Sequence, residues 1–219
     1  MAKKRIGVVL SGCGHKDGSE IQEAALTLFF IDRAGAQAVI MAPNVDQHHV
    51  VNHLTGDETD ESRNVLVESA RIARGDIKDL VTVEADDLDA IILPGGFGAA
   101  KNLSSFAFDG QDATVNAALA ALLIAVHGAT KPIGAICVSP AVISKVFSDQ
   151  GIKLTIGNDA GTAGAIQKMG NIHQESLVED IVIDDKNNVI STAAYMCSAT
   201  ISAVGAGIEK LVNEVVARS

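Results

Sequence analysis

The sequence has very few aromatic residues: it contains no tryptophan and one tyrosine, and aromatic side chains make up 3% of its 219 residues. Apolar residues nevertheless account for 47% of the chain, so its core must consist mainly of alanine, valine, isoleucine and leucine. This usage is typical of parallel strands covered by helices, since such strands carry branched aliphatic residues on both faces. The composition therefore predicts an α/β fold.

Basic residues are also scarce, with 17 lysines and arginines against 27 acidic residues and a net charge of −10. The basic residues form one cluster, at residues 3–5, whereas a protein that binds nucleic acid normally presents a whole basic face. No run of 18 apolar residues marks a membrane helix, and the N-terminal residues do not resemble a signal peptide. We therefore expect neither a nucleic-acid nor a membrane partner.

The three cysteines, Cys13, Cys137 and Cys197, are too few and too widely spaced for a disulfide framework or a zinc site. Unpaired thiols are typical of a reducing compartment, which predicts a cytoplasmic location. The histidines of the polar stretch 45–59 lack a ligand pattern, and the glycines of residues 12–18 lack the spacing of a dinucleotide loop. We expect no metal and no cofactor.

Strand and helix patterns alternate along the chain without a linker or an internal repeat, which predicts one domain over residues 1–219. The first βαβ unit consists of a strand at 5–10, a helix at 20–34 that Ser19 can cap, and a strand at 36–42. The other predicted strands are 77–83, 88–93, 132–136 and 152–156, with a hairpin pairing 181–183 and 189–190, and the other predicted helices are 60–74, 113–127, 160–169 and 198–216.

Unusual residues follow three of the predicted strands, and open α/β sheets bind ligands beyond the carboxyl ends of their strands. These segments are Gly12–Glu20, Pro94–Gly98 and Cys137. A single cysteine between a strand and a helix start has the layout of a nucleophile elbow. The helix dipole and the free backbone N–H groups there favour a thiolate and lower the thiol pKa. The alternative is a small buried hydrophobic residue.

Three further residues are candidates for the same site. The N–H of Val138 is placed to donate to an oxyanion beside Cys137, and Gly95 and Gly96 can supply the rest of an oxyanion hole, although a tight turn also explains those glycines. Glu20 starts the first helix. If Glu20 faces Cys137, burial raises its pKa and lets it hydrogen-bond to the thiolate. Otherwise it is an acid that the helix dipole stabilises.

Together these segments resemble one protein family. The matching residues are Ser11–Gly14, Asp17–Glu20, Leu54–Gly56, Pro94–Leu103 and Cys137. They are similar to the ElbB-type glyoxalases of the ThiJ/PfpI, class I glutamine amidotransferase-like superfamily, and the resemblance runs from Arg5 to about Leu211. It implies a flavodoxin-like three-layer sandwich, with a mostly parallel central sheet, helices on both faces, a nucleophile-elbow cysteine and a homodimer.

The resemblance also implies an activity. A glutamate of the first helix, matched here by Glu20, would contact Cys137, and the cysteine would form a hemithioacetal with a small dicarbonyl substrate. The expected reaction converts glyoxal to glycolate without glutathione or any other cofactor, classed as a lyase, and deglycase-like activity on protein adducts is also implied.

The sequence departs from the wider superfamily in one respect. Val138 follows the cysteine where protease-like relatives have a histidine, and the stretch Leu154–Asp159, where amidotransferases have one, contains none. Peptidase and glutaminase chemistry needs such a base. Two alternatives stay open: a redox-responsive thiol sensor or binding module, and an amidotransferase-like hydrolase that acts with a partner.

Overall fold

A seven-stranded sheet forms the centre of the protein in the computed structural model, which describes residues 3–219. Its strands are β1 (Arg5–Val9), β2 (Gln37–Ala42), β5 (Lys78–Asp79), β6 (Ala90–Leu93), β7 (Ile133–Ile136), β10 (Val182–Asp184) and β11 (Val189–Thr192). They lie in the order β10-β11-β7-β6-β1-β2-β5, and each pairing is parallel except that of β10 with β11. The predicted mostly parallel sheet and the C-terminal hairpin are confirmed.

Helices cover both faces of this sheet. They are α1 (Ile21–Arg33), α2 (Val65–Ile72), α3 (Phe97–Lys101), α4 (Phe106–Asp109), α5 (Ala117–Gly128), α6 (Ser139–Val146), α7 (Ala160–Lys168) and α8 (Ile201–Arg218). Residues of α1, α2 and α8 pack into one apolar core, and residues of α3, α5, α6 and α7 pack into a second. The side chains of β6 and β7 are fully buried, as expected of central strands covered on both sides. The predicted flavodoxin-like sandwich is confirmed.

Side-chain caps decide where three of the helices begin. The predicted helices at 60–74, 113–127 and 198–216 begin later, at residues 65, 117 and 201. The side chains of Asn64, Asn116 and Thr200 accept backbone N–H bonds of the first helical turn at these positions. Such caps satisfy N–H groups that have no partner inside the helix, so the helix begins there and not at the first apolar residue.

Two small sheets lie outside the central one. The stretch 45–59, which was predicted as irregular, contains the antiparallel pair β3 (Val50–Val51) and β4 (Glu58–Thr59). The strand predicted at 152–156 is shortened to β8 (Lys153–Leu154), which pairs with β9 (Ile172–His173) and not with a strand of the central sheet.

The two edge strands of the central sheet differ. At one edge β5 is only two residues long and both are charged. At the other edge β8 packs beside β10, where the N–H of Lys153 donates to Oδ2 of Asp184 at 2.8 Å. No helix within residues 3–219 is long and apolar enough to cross a membrane.

Candidate active site at the carboxyl end of the sheet

Cys137 lies between β7 and α6 at the carboxyl end of the sheet. Its backbone has a φ of 63°, a left-handed conformation that non-glycine residues rarely adopt. Its N–H donates to the carbonyl of Thr192 at 3.0 Å, which ties the turn to the end of β11. Ser139 Oγ donates to the carbonyl of Pro94 at 2.8 Å and holds the start of α6 against the neighbouring strand end. The side chain of Cys137 is 7% exposed and lines a cavity.

The side chain of Glu23, on the first turn of α1, is completely buried beside this cysteine. Its Oε2 accepts the N–H of Gly95 at 2.9 Å and its Oε1 accepts the N–H of Tyr195 at 3.2 Å. The carboxyl also hydrogen-bonds to the Cys137 thiol. Burial, assisted by the charge of Glu20, raises the pKa of Glu23 to about 8. Below that pH the carboxyl carries a proton that it can give to a neighbour.

The sulfur of Cys137 is surrounded by groups with opposing effects. Burial and the nearby Glu23 carboxylate raise the pKa of the thiol, whereas the backbone N–H groups of Gly96 and Val138 donate to the sulfur and lower it. Burial is the largest effect, so the lowered pKa predicted from the helix start is wrong for the resting thiol. Cys137 and Glu23 therefore titrate as one pair that strongly disfavours two simultaneous charges.

The raised pKa of Glu23 makes stability depend on pH. Between an ordinary value of 4.5 and about 8 the native carboxyl holds a proton that the unfolded chain has lost. Stability from this group therefore falls as pH rises through this window, by up to about 1.4 kcal/mol per pH unit. We expect the unfolding free energy of Glu23→Gln, measured with urea between pH 5 and 8, to lack this slope. Equal slopes in both proteins would contradict the assigned pKa.

Glu20, which was expected to contact Cys137, has a different position. It is the N-cap of α1, with φ −66° and ψ 117°, and its Oε2 accepts the N–H of Glu23 at 2.6 Å. This bond folds the Glu20 side chain back onto the helix end, although the residue still lines the cavity. The carboxyl that hydrogen-bonds to the Cys137 thiol is that of Glu23, one helical turn further along.

The glycines after β6 allow the close approach of these groups. A Cβ on Gly95 would lie 2.7 Å from Glu23 Oε2 and 2.8 Å from Cys137 Sγ, so no side chain fits there. Gly96 has a φ of 96°, and a Cβ on it would overlap the backbone of the β1–α1 loop. The N–H of Gly96 points to the sulfur and that of Gly95 to Glu23, so these two glycines serve different partners. Their role in holding an oxyanion stays a prediction.

The cavity in front of Cys137 has a volume of about 660 Å³. It is lined by His15, Glu20, Gly96, Phe97, Ala100, Phe106, Ala107, Cys137, Val138, Asp159, Thr162, Tyr195 and Met196. Sequence reasoning assigned a role to only four of these residues, Glu20, Gly96, Cys137 and Val138. His15 and Phe97 lie in segments that the sequence singled out, and the others come from loops and helix ends whose positions depend on tertiary packing. The sequence does contain one indication that Tyr195 and Met196 belong to the site. They follow the buried strand β11, whose carboxyl end lies beside that of β7.

The titratable side chain beside the Cys137 sulfur is the carboxyl of Glu23 and not a histidine. One of the two strands that flank β7 in the central sheet is β11, and the residues that follow it, Ala193–Met196, include no histidine. His15 lines the cavity, and burial lowers its pKa so that its ring is neutral at neutral pH. Among residues 3–219, no three His, Cys, Asp or Glu side chains are grouped so that they could hold a metal ion.

The chain is similar to named proteins over nearly its whole length, although no family model matches it. The mitochondrial ES1 protein homolog of Rattus norvegicus is 44% identical over 223 residues, covering 97% of this chain and 83% of the rat protein. The mitochondrial glutamine amidotransferase-like class 1 domain-containing protein 3 of Homo sapiens is 45% identical over 221 residues, covering 96% of this chain and 82% of the human protein.

Solved structures show the same fold. An isoprenoid biosynthesis protein with amidotransferase-like domain from Ehrlichia chaffeensis is 38% identical with a TM-score of 0.90, covering 97% of this chain and 99% of its own. DJ-1beta of Drosophila melanogaster is 17% identical with a TM-score of 0.56, covering 99% of this chain and 95% of its own. At this identity the likeness shows the fold alone. The superfamily expected from the sequence is therefore supported, whereas these relatives are not named as glyoxalases.

The relatives correct the predicted location and identify the family. Three of them, from rat, human and Danio rerio, are named as mitochondrial proteins, which contradicts the cytoplasmic location inferred from the free cysteines. Free thiols indicate a reducing environment and do not distinguish one reducing compartment from another. With at least 44% identity to the rat and human proteins over more than four fifths of their lengths, the chain belongs to the family of the ES1 proteins and of glutamine amidotransferase-like class 1 domain-containing protein 3.

Proposed function

We propose that the protein is a cofactor-independent glyoxalase that converts glyoxal to glycolate, with Cys137 as nucleophile and Glu23 as proton shuttle. The observation that carries this proposal is the surroundings of the Cys137 sulfur. One buried carboxyl with a pKa of about 8 hydrogen-bonds to it, and two backbone N–H groups point at it. A carboxyl that titrates near neutral pH can both give and take a proton during one turnover.

The first step forms a bond between the sulfur and one aldehyde carbon. The ionised carboxylate of Glu23 takes the proton of the thiol, and the C=O electrons move to oxygen as the C–S bond forms. The N–H groups of Gly96 and Val138 stabilise this oxygen, which then takes the proton from Glu23 to give a hemithioacetal and restore the Glu23 carboxylate. The backbone donors are fixed before the substrate arrives, so little reorganisation is needed.

The second step moves a proton between the two carbons. The Glu23 carboxylate removes the proton from the sulfur-bearing carbon while the aldehyde oxygen takes up a proton from solvent, which gives an enediol. Glu23 then gives its proton to the other carbon as the hydroxyl on the first carbon releases its proton to solvent. The first carbon is thereby oxidised to a thioester and the second is reduced to an alcohol, so no external oxidant or reductant is required. Water then hydrolyses the thioester, releasing glycolate and the free thiol.

Glu20 has a supporting role in this mechanism. Its carboxylate raises the pKa of Glu23 through charge repulsion, and its side chain lines the cavity near the reacting thiol. The proton shuttle that the family resemblance assigned to Glu20 is therefore assigned here to Glu23, because Glu23 makes the hydrogen bond to the sulfur.

Replacing the nucleophile tests the proposal directly. We expect Cys137→Ser to reduce glycolate formation from glyoxal to the background rate, because a serine hydroxyl has no strong base beside it. Cys13→Ser and Cys197→Ser are matched controls, since neither residue lines the cavity, and both should retain activity. Turnover in D2O should place deuterium on the alcohol carbon of glycolate. Unchanged turnover in Cys137→Ser would refute the mechanism.

A redox-sensing thiol is a second candidate, favoured by the position of Cys137 in the lining of the cavity. Mild peroxide that converts Cys137 stoichiometrically to sulfinic acid, in a protein with no carbonyl turnover, would support this function instead. The amidotransferase-like name of the human relative suggests a third candidate function, that of a hydrolase that acts with a partner protein. Glutaminase activity that appears only in the presence of such a partner would support it. The homodimer stays a prediction that light scattering can test.

A further inference from the structure

We propose that the preferred substrate is not glyoxal itself but a 2-oxoaldehyde whose ketone carbon carries an uncharged apolar group of about the size of an aromatic ring. This inference rests on the proposed function, because it assigns the reacting aldehyde to Cys137. It concerns a different part of the site, namely the space and the charges beyond the sulfur.

The size of the cavity is the first observation. Its volume of about 660 Å³ lies in the range of roughly 300–1,000 Å³ that is typical of sites for drug-sized ligands. Glyoxal consists of two carbon and two oxygen atoms and would leave most of this space filled with water. A substrate that fills the cavity would displace this water from apolar walls, and its bound geometry would be more restricted.

The walls of the cavity are the second observation. Phe97 and Phe106, at the first turns of α3 and α4, and Met196, after β11, surround the space in front of Cys137. Phe97 is 54% exposed, and a ligand in the cavity would cover part of this exposed ring. Aromatic and methionine side chains make favourable contacts with aromatic ligands, whereas a small hydrated dicarbonyl gains little from them.

The charges at the cavity are the third observation. Glu20 and Asp159 both line it, and the backbone N–H of Thr162 lowers the pKa of Asp159 so that it stays ionised. His15, the one basic side chain of the lining, has a pKa lowered by burial. Lys101 lies over the ring of Phe97, 4.9 Å from its centroid, but bonds to His49 Nε2 at 2.8 Å and is not part of the lining. The cavity therefore disfavours an anionic substrate.

A comparison of three substrates measures both size and charge. Phenylglyoxal has the proposed neutral ring, 4-carboxyphenylglyoxal adds a negative charge to the same shape, and glyoxal lacks the ring. We expect kcat/KM for phenylglyoxal, followed as mandelate, to exceed that for glyoxal by at least about tenfold. The carboxylated compound should fall at least about tenfold below phenylglyoxal. Equal values for all three compounds would overturn the inference and leave the proposed function intact.

Variants of the cavity walls locate the effect. Ala107 is exposed on α4, so Ala107→Phe is expected to fold normally while it narrows the cavity. Thr162→Leu narrows the cavity from α7, and Ala107→Ser is the matched control. Each narrowing variant should lower kcat/KM for phenylglyoxal by a larger factor than kcat/KM for glyoxal. Asp159→Asn, which retains the helix cap, should raise the ratio of kcat/KM for 4-carboxyphenylglyoxal to that for phenylglyoxal.

A binding measurement separates this inference from the proposed reaction. Acetophenone has the ring and the ketone but no aldehyde, and it should slow alkylation of Cys137 by iodoacetamide, whereas benzoate should not. If no dicarbonyl is turned over but acetophenone protects, the reaction fails and the neutral aromatic ligand class stands. If acetophenone and benzoate protect equally or not at all, the ligand class is wrong whatever the turnover.

Discussion

Glu23→Gln is expected to lower kcat/KM for glyoxal by about 10²–10⁴-fold, the usual contribution of a positioned acid–base group. The glutamine amide keeps the size and shape of the side chain but cannot take a proton from the hemithioacetal carbon. It also cannot accept both the Gly95 and Tyr195 N–H groups, so a loss of about 1 kcal/mol of stability accompanies the change. The measurement is the initial rate of glycolate formation, corrected for the folded fraction.

Glu20→Gln is the matched control for this prediction, because the two acids are only one helical turn apart. Glu20 caps α1 and glutamine retains an oxygen that can accept the Glu23 N–H. Its main effect should be to lower the pKa of Glu23 by removing a neighbouring charge, seen as a shift of the pH–rate profile to lower pH. A larger loss of kcat in Glu20→Gln than in Glu23→Gln would return the shuttle role to Glu20.

Gly95→Ala is expected to remove activity and to lower stability by about 1–3 kcal/mol, the usual effect of overpacking. The added Cβ would overlap the Cβ of Cys137 and lie within 2.8 Å of its sulfur and of Glu23 Oε2. Because the overlap involves both members of the pair, the Glu23–Cys137 hydrogen bond cannot keep its geometry. Urea unfolding and the rate of Cys137 alkylation report the two effects separately.

Gly164→Ala is the control for this second prediction. Gly164 lies inside α7, which also lines the cavity through Thr162, and a Cβ there would meet no atom within 4 Å. Alanine is favoured over glycine in a helix interior by roughly 0.5–1 kcal/mol, so this variant should gain stability and keep its activity. A Gly95→Ala protein as stable and active as Gly164→Ala would contradict the close packing described for the pair.

The sequence was sufficient to predict the elements of the fold that depend on local pattern. The buried runs at β6 and β7 and the turn between β10 and β11 have clear signals, and so has a cysteine that follows a strand directly. The β8 strand was misplaced because a two-residue pairing carries no periodicity. Whether such a strand joins the central sheet depends on contacts made elsewhere in the chain.

The choice between Glu20 and Glu23 shows why the site was harder to predict. Residues three apart on a helix lie on neighbouring positions of one face, so periodicity alone does not separate them. The decision depends on the helix beginning at Ile21, which makes Glu20 a cap with extended backbone and directs Glu23 inward. The end of β11 supplies the second N–H to Glu23, through Tyr195, and that contact spans 172 residues of sequence.

The short, charged strand β5 and the covered strand β10 have a consequence for self-association. Exposed sheet edges recruit strands from other molecules, which leads to edge-to-edge aggregation or to continuous intermolecular sheets. Here one edge offers only Lys78 and Asp79 for such pairing, and the other is occupied by β8. If two copies of this chain associate, the contact should therefore form between helices or loops, and the central sheet should end within each molecule.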